Sequence, residues 1–145
     1  MANKLVNIFA DTDVCLDLLT GRMPFHQSAV ILFSLADSGK IQLHVSALSF
    51  SNIDYLLRSR YNAAHSRKIL ADFKQMVKVL PVTDITVDKA ILSQISDFED
   101  ALQHACAAEN KIPILLTRNI RDFKKATLQV LTPETYLSIV KKDAS

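Results

Sequence analysis

The sequence predicts an α/β fold, a three-layer α/β/α sandwich around a central, mostly parallel sheet of five strands. Two observations predict it. Five short apolar or β-branched runs, at 5–10, 41–45, 79–82, 112–116 and 128–131, are each followed by a helical pattern. A strand that hands over to a helix rejoins the sheet through a crossover, so the sheet is parallel and covered on both faces.

Taken in order, the first strand leads into Asp11-Thr12-Asp13 and a short helix over 14–19. Phe25, Ala29, Leu32, Phe33 and Ala36 then share one helical face. After the second strand a helix spans 46–60, with Ile53, Leu56 and Leu57 inward and Ser46 or Ser49 able to cap it. Two more helical stripes flank the third strand: Ile69, Leu70, Phe73, Met76 and Val77 before it, and Val87, Ala90, Ile91 and Ile95 after it. The acids Asp97, Glu99 and Asp100 open a nearly all-apolar helix carrying Ala101, Leu102, Ala105, Cys106 and Ala108. A polar turn, Thr117-Arg118-Asn119-Ile120-Arg121-Asp122-Phe123, follows the fourth strand. Thr132-Pro133-Glu134 supplies a cap, a first-turn proline and a first-turn acid for a last helix through Tyr136, Leu137 and Val140.

The two glycines and four prolines are scattered singly, with no linker-like stretch, so one domain over residues 1–145 is expected. Hydrophobic residues at 49% and charged residues at 22% exclude a disordered chain, and a formal charge of +2 leaves nucleic-acid contact to local patches. The N-terminal run lacks the longer apolar region of a signal peptide, and no run approaches the ~20 residues that span a bilayer. A cytoplasmic protein without membrane contact is expected. Cys15 and Cys106 are not spaced as zinc ligands and read as buried thiols.

In an open parallel sheet, sites form beyond the carboxyl ends of the strands, near the point where strand order reverses. Asp11 stands there, either as a site carboxylate or as the cap of the next helix, and Asp13 is open to the same two readings. Asp97 and Asp100 are also open to a cap and first-turn reading, but Asp100 is the last polar residue before the apolar helical face. His104, on the same face as Asp100, reads as structural, since no second histidine shares its spacing. In the polar turn, Asp122 could ligate a metal or pair with an arginine. Arg118, Arg121, Lys124 and Lys125 could meet phosphates or form a solvated loop. Three carboxylates from separate strand ends repel unless a cation joins them, and Mg²⁺ or Mn²⁺ satisfies an oxygen-only set. Phosphodiester hydrolysis is the matching reaction class.

Four phrases together resemble PIN domains over essentially the whole chain. They are the strand followed by Asp11-Thr12, the stretch Val45-Ser46-Ala47-Leu48-Ser49-Phe50-Ser51-Asn52-Ile53, the step Asp97-Phe98-Glu99-Asp100-Ala101, and the turn from Thr117 to Phe123. The resemblance implies a Mg²⁺- or Mn²⁺-dependent ribonuclease acting on RNA, of a kind often found as the toxin of a toxin-antitoxin pair and often dimeric. It implies a metal site of Asp11, Asp100 and Asp122, with Asn119 beside them and Thr12, Thr117, Arg118 and Arg121 toward the substrate. At Asn52 the chain departs from the Glu that many PIN nucleases carry. An amide can ligate but cannot balance cation charge, so Asp97 is a candidate to supply the missing carboxylate. Two other readings stand beside this one. One is a PIN-fold module with weakened catalysis that binds RNA or a protein partner. The other is a haloacid-dehalogenase-like phosphohydrolase, in which Asp11 would be the nucleophile and Asp13 the acid/base.

Overall fold

The computed structural model describes residues 5–144. Residues 1–4, on which the reading of the N-terminus partly rests, and residue 145 lie outside the described residues. The five apolar runs pair into one sheet. β1 (Val6–Ala10) lies between β2 (Ile41–Ser46) and β4 (Ile114–Leu116), β3 (Lys78–Leu80) extends the sheet beyond β2, and β5 (Gln129–Leu131) extends it beyond β4. The order is β3-β2-β1-β4-β5 and every pair is parallel, with Ile8 opposite both Leu43 and Ile114.

Two strand starts or ends shift for a backbone reason. Pro81 has no N–H to give a ladder, and β3 ends before it at Leu80. Lys111 adopts a positive φ of 57° and Pro113 again lacks a donor, so β4 begins at Ile114 although Ile112 is buried.

Between the strands run α1 (Thr12–Thr20), α2 (His26–Asp37), α3 (Ala47–Leu57), α4 (Ala63–Lys74), α5 (Asp84–Leu92), α6 (Phe98–Glu109) and α7 (Pro133–Ala144), with a 3-10 turn at Ile120–Phe123. Alternation along the strands sorts the core into two layers. Ile8, Ala10, Leu43 and Val45 pack with Val14, Leu32, Phe33, Ile53, Phe73 and Tyr136. Phe9 and Leu115 point the other way, onto Ala90, Ala101, Cys106 and Phe123. So α1, α2, α3, α4 and α7 cover one face, and α5, α6 and the 3-10 turn cover the other. Both cysteines are free and buried. Among the described residues no helix is long and apolar enough to cross a membrane.

The stripe assigned to α5 is only half right. Ala90 and Ile95 are buried, but Ile91 is 65% exposed, and the inward position is taken by Thr86. A capping box between Thr83 and Thr86 starts the helix, Thr86 and Ala90, four apart, point inward with the Thr86 hydroxyl donating to Glu109 of α6, and Ile91 turns outward.

Candidate active site

Successive connections place β2 and β3 on one side of β1 and then β4 and β5 on the other, so strand order reverses between β1 and β4. The first residue past each of these two strands stands at that crevice: Asp11 after β1 and, buried beneath it, Thr117 after β4. The Asp11 backbone N–H donates to the Leu116 carbonyl at 2.9 Å, which fixes the two strand ends together.

Asp11 is the N-cap of α1 and also stands at the crevice. Its side chain caps α1 by accepting from the Thr12 N–H at 2.9 Å, and its second oxygen, Oδ2, accepts from Thr117 Oγ1 at 3.0 Å. Asp13 is no cap. Its Oδ2 accepts from the Arg118 N–H at 3.1 Å and from Asn119 Nδ2 and Thr117 Oγ1, both at 3.3 Å, so it ties the polar turn to α1. Its Oδ1 is buried without a hydrogen-bond partner. Asp97 is the N-cap of α6, accepting from the Asp100 N–H at 3.0 Å.

Six acids, Asp11, Asp13, Asp97, Glu99, Asp100 and Asp122, line one depression of about 310 Å³, with Thr12, Leu16 and Asn119 completing its wall. Among the described residues no lysine or arginine lines it. Burial first, and then the Asp13 charge, push the Asp11 carboxyl up to about 7. Asp100 is also pushed up to about 7, by burial and then by Asp11, Asp97, Asp122 and Glu99 in that order. Burial raises Asp13 as well, against the pull of Arg118.

The depression therefore holds unbalanced negative charge and an orphaned carboxylate oxygen, and all of its polar donors are hard oxygens apart from the amide of Asn119. That chemistry fits a divalent cation of the Mg²⁺ or Mn²⁺ class. The acids ring the depression without converging: among the described residues no three His, Cys, Asp or Glu side chains stand close enough to hold an ion together. Asp100 and Asp122 make no side-chain hydrogen bond or ion pair among the described residues, so they are the members with freedom to swing inward. Asp122 in particular has no arginine partner.

Three residues assigned to substrate contact have their polar groups engaged by partners within the fold, although Thr12 still lines the depression. Thr117 is 0% exposed, and its hydroxyl is committed to Asp11, Asp13 and the Asn119 N–H. Thr12 is buried, with its hydroxyl 2.7 Å from Ser49 Oγ. Arg118 turns away from the depression. Its guanidinium lies over the Phe25 ring at 4.6 Å and its Nε is 2.9 Å from Asp17 Oδ2, a contact held by charge without an aligned hydrogen bond. It neutralises a carboxylate that is otherwise buried and unpaired. Arg121 is exposed, and with Lys124 and Lys125 it lines a second hollow of about 290 Å³ that shares Asp97 and Asp122 with the acidic depression. Asn119 lines the acidic depression. His104 is structural: its Nε2 accepts from the Thr127 N–H at 3.0 Å.

Sequence reasoning missed Gln103. This fully buried amide of α6 accepts from Ser46 Oγ at 2.5 Å and donates toward Ser49 Oγ at 2.8 Å, Thr12 Oγ1 at 3.2 Å and Asp11 Oδ1 at 3.3 Å. One side chain thereby joins the ends of β1 and β2 to α3 and α6. The signal was present: Gln103 sits three residues after Asp100 and is the one amide on an otherwise apolar face. Asp97 is likewise not the residue beside Asn52. The Asn52 Nδ2 amide donates to Glu99 Oε1 at 2.8 Å, because Asp97 is occupied at the helix N-terminus.

The family model described as PIN domain matches residues 7–121. No curated protein sequence matches the chain. Among solved structures, the chain is similar to a DNA-bound VapBC from Salmonella typhimurium, at 12% identity and TM-score 0.69, covering 89% of this chain and 99% of that one. It is similar to a toxin-antitoxin complex from Klebsiella pneumoniae, at 19% identity and TM-score 0.67, covering 87% and 97%. It is also similar to the sarcin-ricin loop cleaving toxin VapC20 of Mycobacterium tuberculosis, at 19% identity and TM-score 0.63, covering 84% and 98%.

Proposed function

The chain belongs to the PIN domain family, and from that premise we propose that it is a divalent-metal-dependent endoribonuclease whose site is the acidic depression beyond β1 and β4. The observation that carries the reading is the six-acid depression at the reversal of strand order, with no cationic side chain among the described residues that line it.

Asp11, Asp100 and Asp122 are the carboxylates that would hold Mg²⁺ or Mn²⁺. When bound, the cation polarises a phosphodiester, lowers the pKa of water and stabilises the leaving oxygen. The protein's own residues do the positioning. Thr117 and Gln103 fix the two oxygens of Asp11 from opposite sides. Asp13 holds the turn that carries Asn119 and Asp122. Asn119 stands at the rim, where its amide can orient water or a phosphate oxygen. Arg121, Lys124 and Lys125, in the adjoining hollow, supply phosphate contacts that place a strand without reading its sequence. Membership of the PIN domain family speaks against the phosphohydrolase alternative.

One of the similar structures is a toxin-antitoxin complex, and a small antitoxin is the partner proposed here. A cationic side chain reaching into the depression would offset the same charge that the metal offsets.

The test is cleavage of a single-stranded RNA pool with Mn²⁺, with Mg²⁺ and with chelator, where metal-dependent cleavage is expected. Equal inactivity in all three, together with no Mn²⁺ binding, would turn the reading toward a binding module.

The same charge predicts a pH dependence. The carboxyls of Asp11 and Asp100 sit at about 7, above their ordinary 3.8. Raised acids favour the protonated folded form, so their stabilisation is complete below the unfolded value and is lost as pH rises through the folded one. In chelator, Tm is expected to fall between pH 5 and pH 8 by about 5 °C or more, and Mn²⁺ is expected to raise Tm most at pH 8. A chelated Tm that climbs with pH would contradict the charge balance described above.

A further inference from the structure

We infer that Glu99, oriented by Asn52, is a fourth carboxylate toward the divalent cation and makes Asn52 a working part of the site. The inference rests on the nuclease reading and deepens it.

Asn52 lies on α3 and Glu99 on α6, 47 positions apart, and their side chains meet at 2.8 Å. The contact is directional: the Asn52 amide donates to Glu99 Oε1. Among the described residues Glu99 Oε2 has no hydrogen-bond or ion-pair partner. Glu99 lines the same depression as Asp11, Asp100 and Asp122. It also lies between the N-cap Asp97 and Asp100, in the capped first turn of α6.

The pairing explains the residue type at 52. A carboxylate there would face Glu99 at hydrogen-bond distance, and two like charges so placed repel. An amide instead presents a donor that holds one oxygen of Glu99 and leaves the other for the cation. The charge that the PIN resemblance places on α3 is thus carried by α6, and the α3 residue becomes its orienting donor. An exposed hydrogen bond with no further role would contribute little to the fold and nothing to metal affinity.

The experiment is Mn²⁺ titration by calorimetry on the full chain, with RNA cleavage measured in parallel. It compares the unaltered protein with Glu99→Gln, Asp11→Asn and the exchange variant Asn52→Glu with Glu99→Gln. Glu99→Gln is expected to weaken Mn²⁺ binding about 10- to 100-fold with Tm in chelator unchanged or higher, and the exchange variant to recover most of that loss. If Glu99→Gln binds Mn²⁺ as tightly as the unaltered chain while Asp11→Asn does not, this inference is overturned and the nuclease reading stands. If the unaltered chain neither binds Mn²⁺ nor cleaves RNA, both fall together.

Discussion

Asp11→Asn is expected to lower Mn²⁺-dependent RNA cleavage by on the order of 10³-fold and at the same time to make the chelated protein more stable. The substitution keeps the shape of the side chain. Its carbonyl can still accept from the Thr12 N–H, and its new amide can donate to Thr117 Oγ1, which is then free to donate to Asp13. What disappears is a buried charge. Asp11 is 7% exposed, and both its burial and the neighbouring Asp13 charge disfavour ionisation. Relief of that repulsion stabilises the fold by about 1–2 kcal/mol, read as a rise of a few degrees in Tm. Loss of activity together with a gain of stability separates a functional carboxylate from one that merely caps a helix, since removing a cap lowers stability. A variant that cleaves RNA at the original rate would remove Asp11 from the site, and one that is less stable in chelator would show that the cap outweighs the relief of buried charge.

Gln103→Leu carries the largest expected cost to the fold. Leucine fills nearly the same volume, so the loss is polar. The hydroxyls of Ser46, Ser49 and Thr12, all buried, lose the amide that joins them, and Asp11 loses a donor. Burying such groups without partners costs roughly 1–3 kcal/mol each where water cannot reach them, although Ser49 and Thr12 can still bond one another at 2.7 Å. A net destabilisation of about 3–5 kcal/mol is expected. It would be measured as a fall in the urea midpoint at unchanged slope. Metal affinity should fall as well, because Asp11 is no longer held. A change under about 1 kcal/mol would show that the network contributes little beyond its parts.

Much of the fold was legible because strand and helix patterns are local. Apolar runs of strand length alternating with helical stripes required a parallel sheet with covered faces, and the five strands lie within a few residues of where the patterns put them. The errors are local as well: β3 and β4 are bounded at the prolines at 81 and 113, Ile91 turns outward beside the Thr83–Thr86 box, and Leu56, expected inward, is 42% exposed.

The carboxylates were legible for a related reason. Asp11, Asp100 and Asp122 stand at element ends, and the topology brings element ends together at one edge of the sheet. Partners across the fold were not legible, because a side chain's hydrogen bonds depend on neighbours far away in sequence. Nothing local says that Arg118 turns to Asp17 and Phe25, that Thr117 is sealed against Asp11 and Asp13, or that Asn52 meets Glu99 and not Asp97. Gln103 shows the division most sharply. On α6 it is one amide among alanines, and only the stacking of α6 against the ends of β1 and β2 makes it the side chain on which Asp11, Thr12, Ser46 and Ser49 converge. Sequence alone determined which charges reach the sheet edge, since periodicity and caps act within a few residues. Tertiary structure decided which of them stay unpaired, since pairing is settled only when distant elements pack.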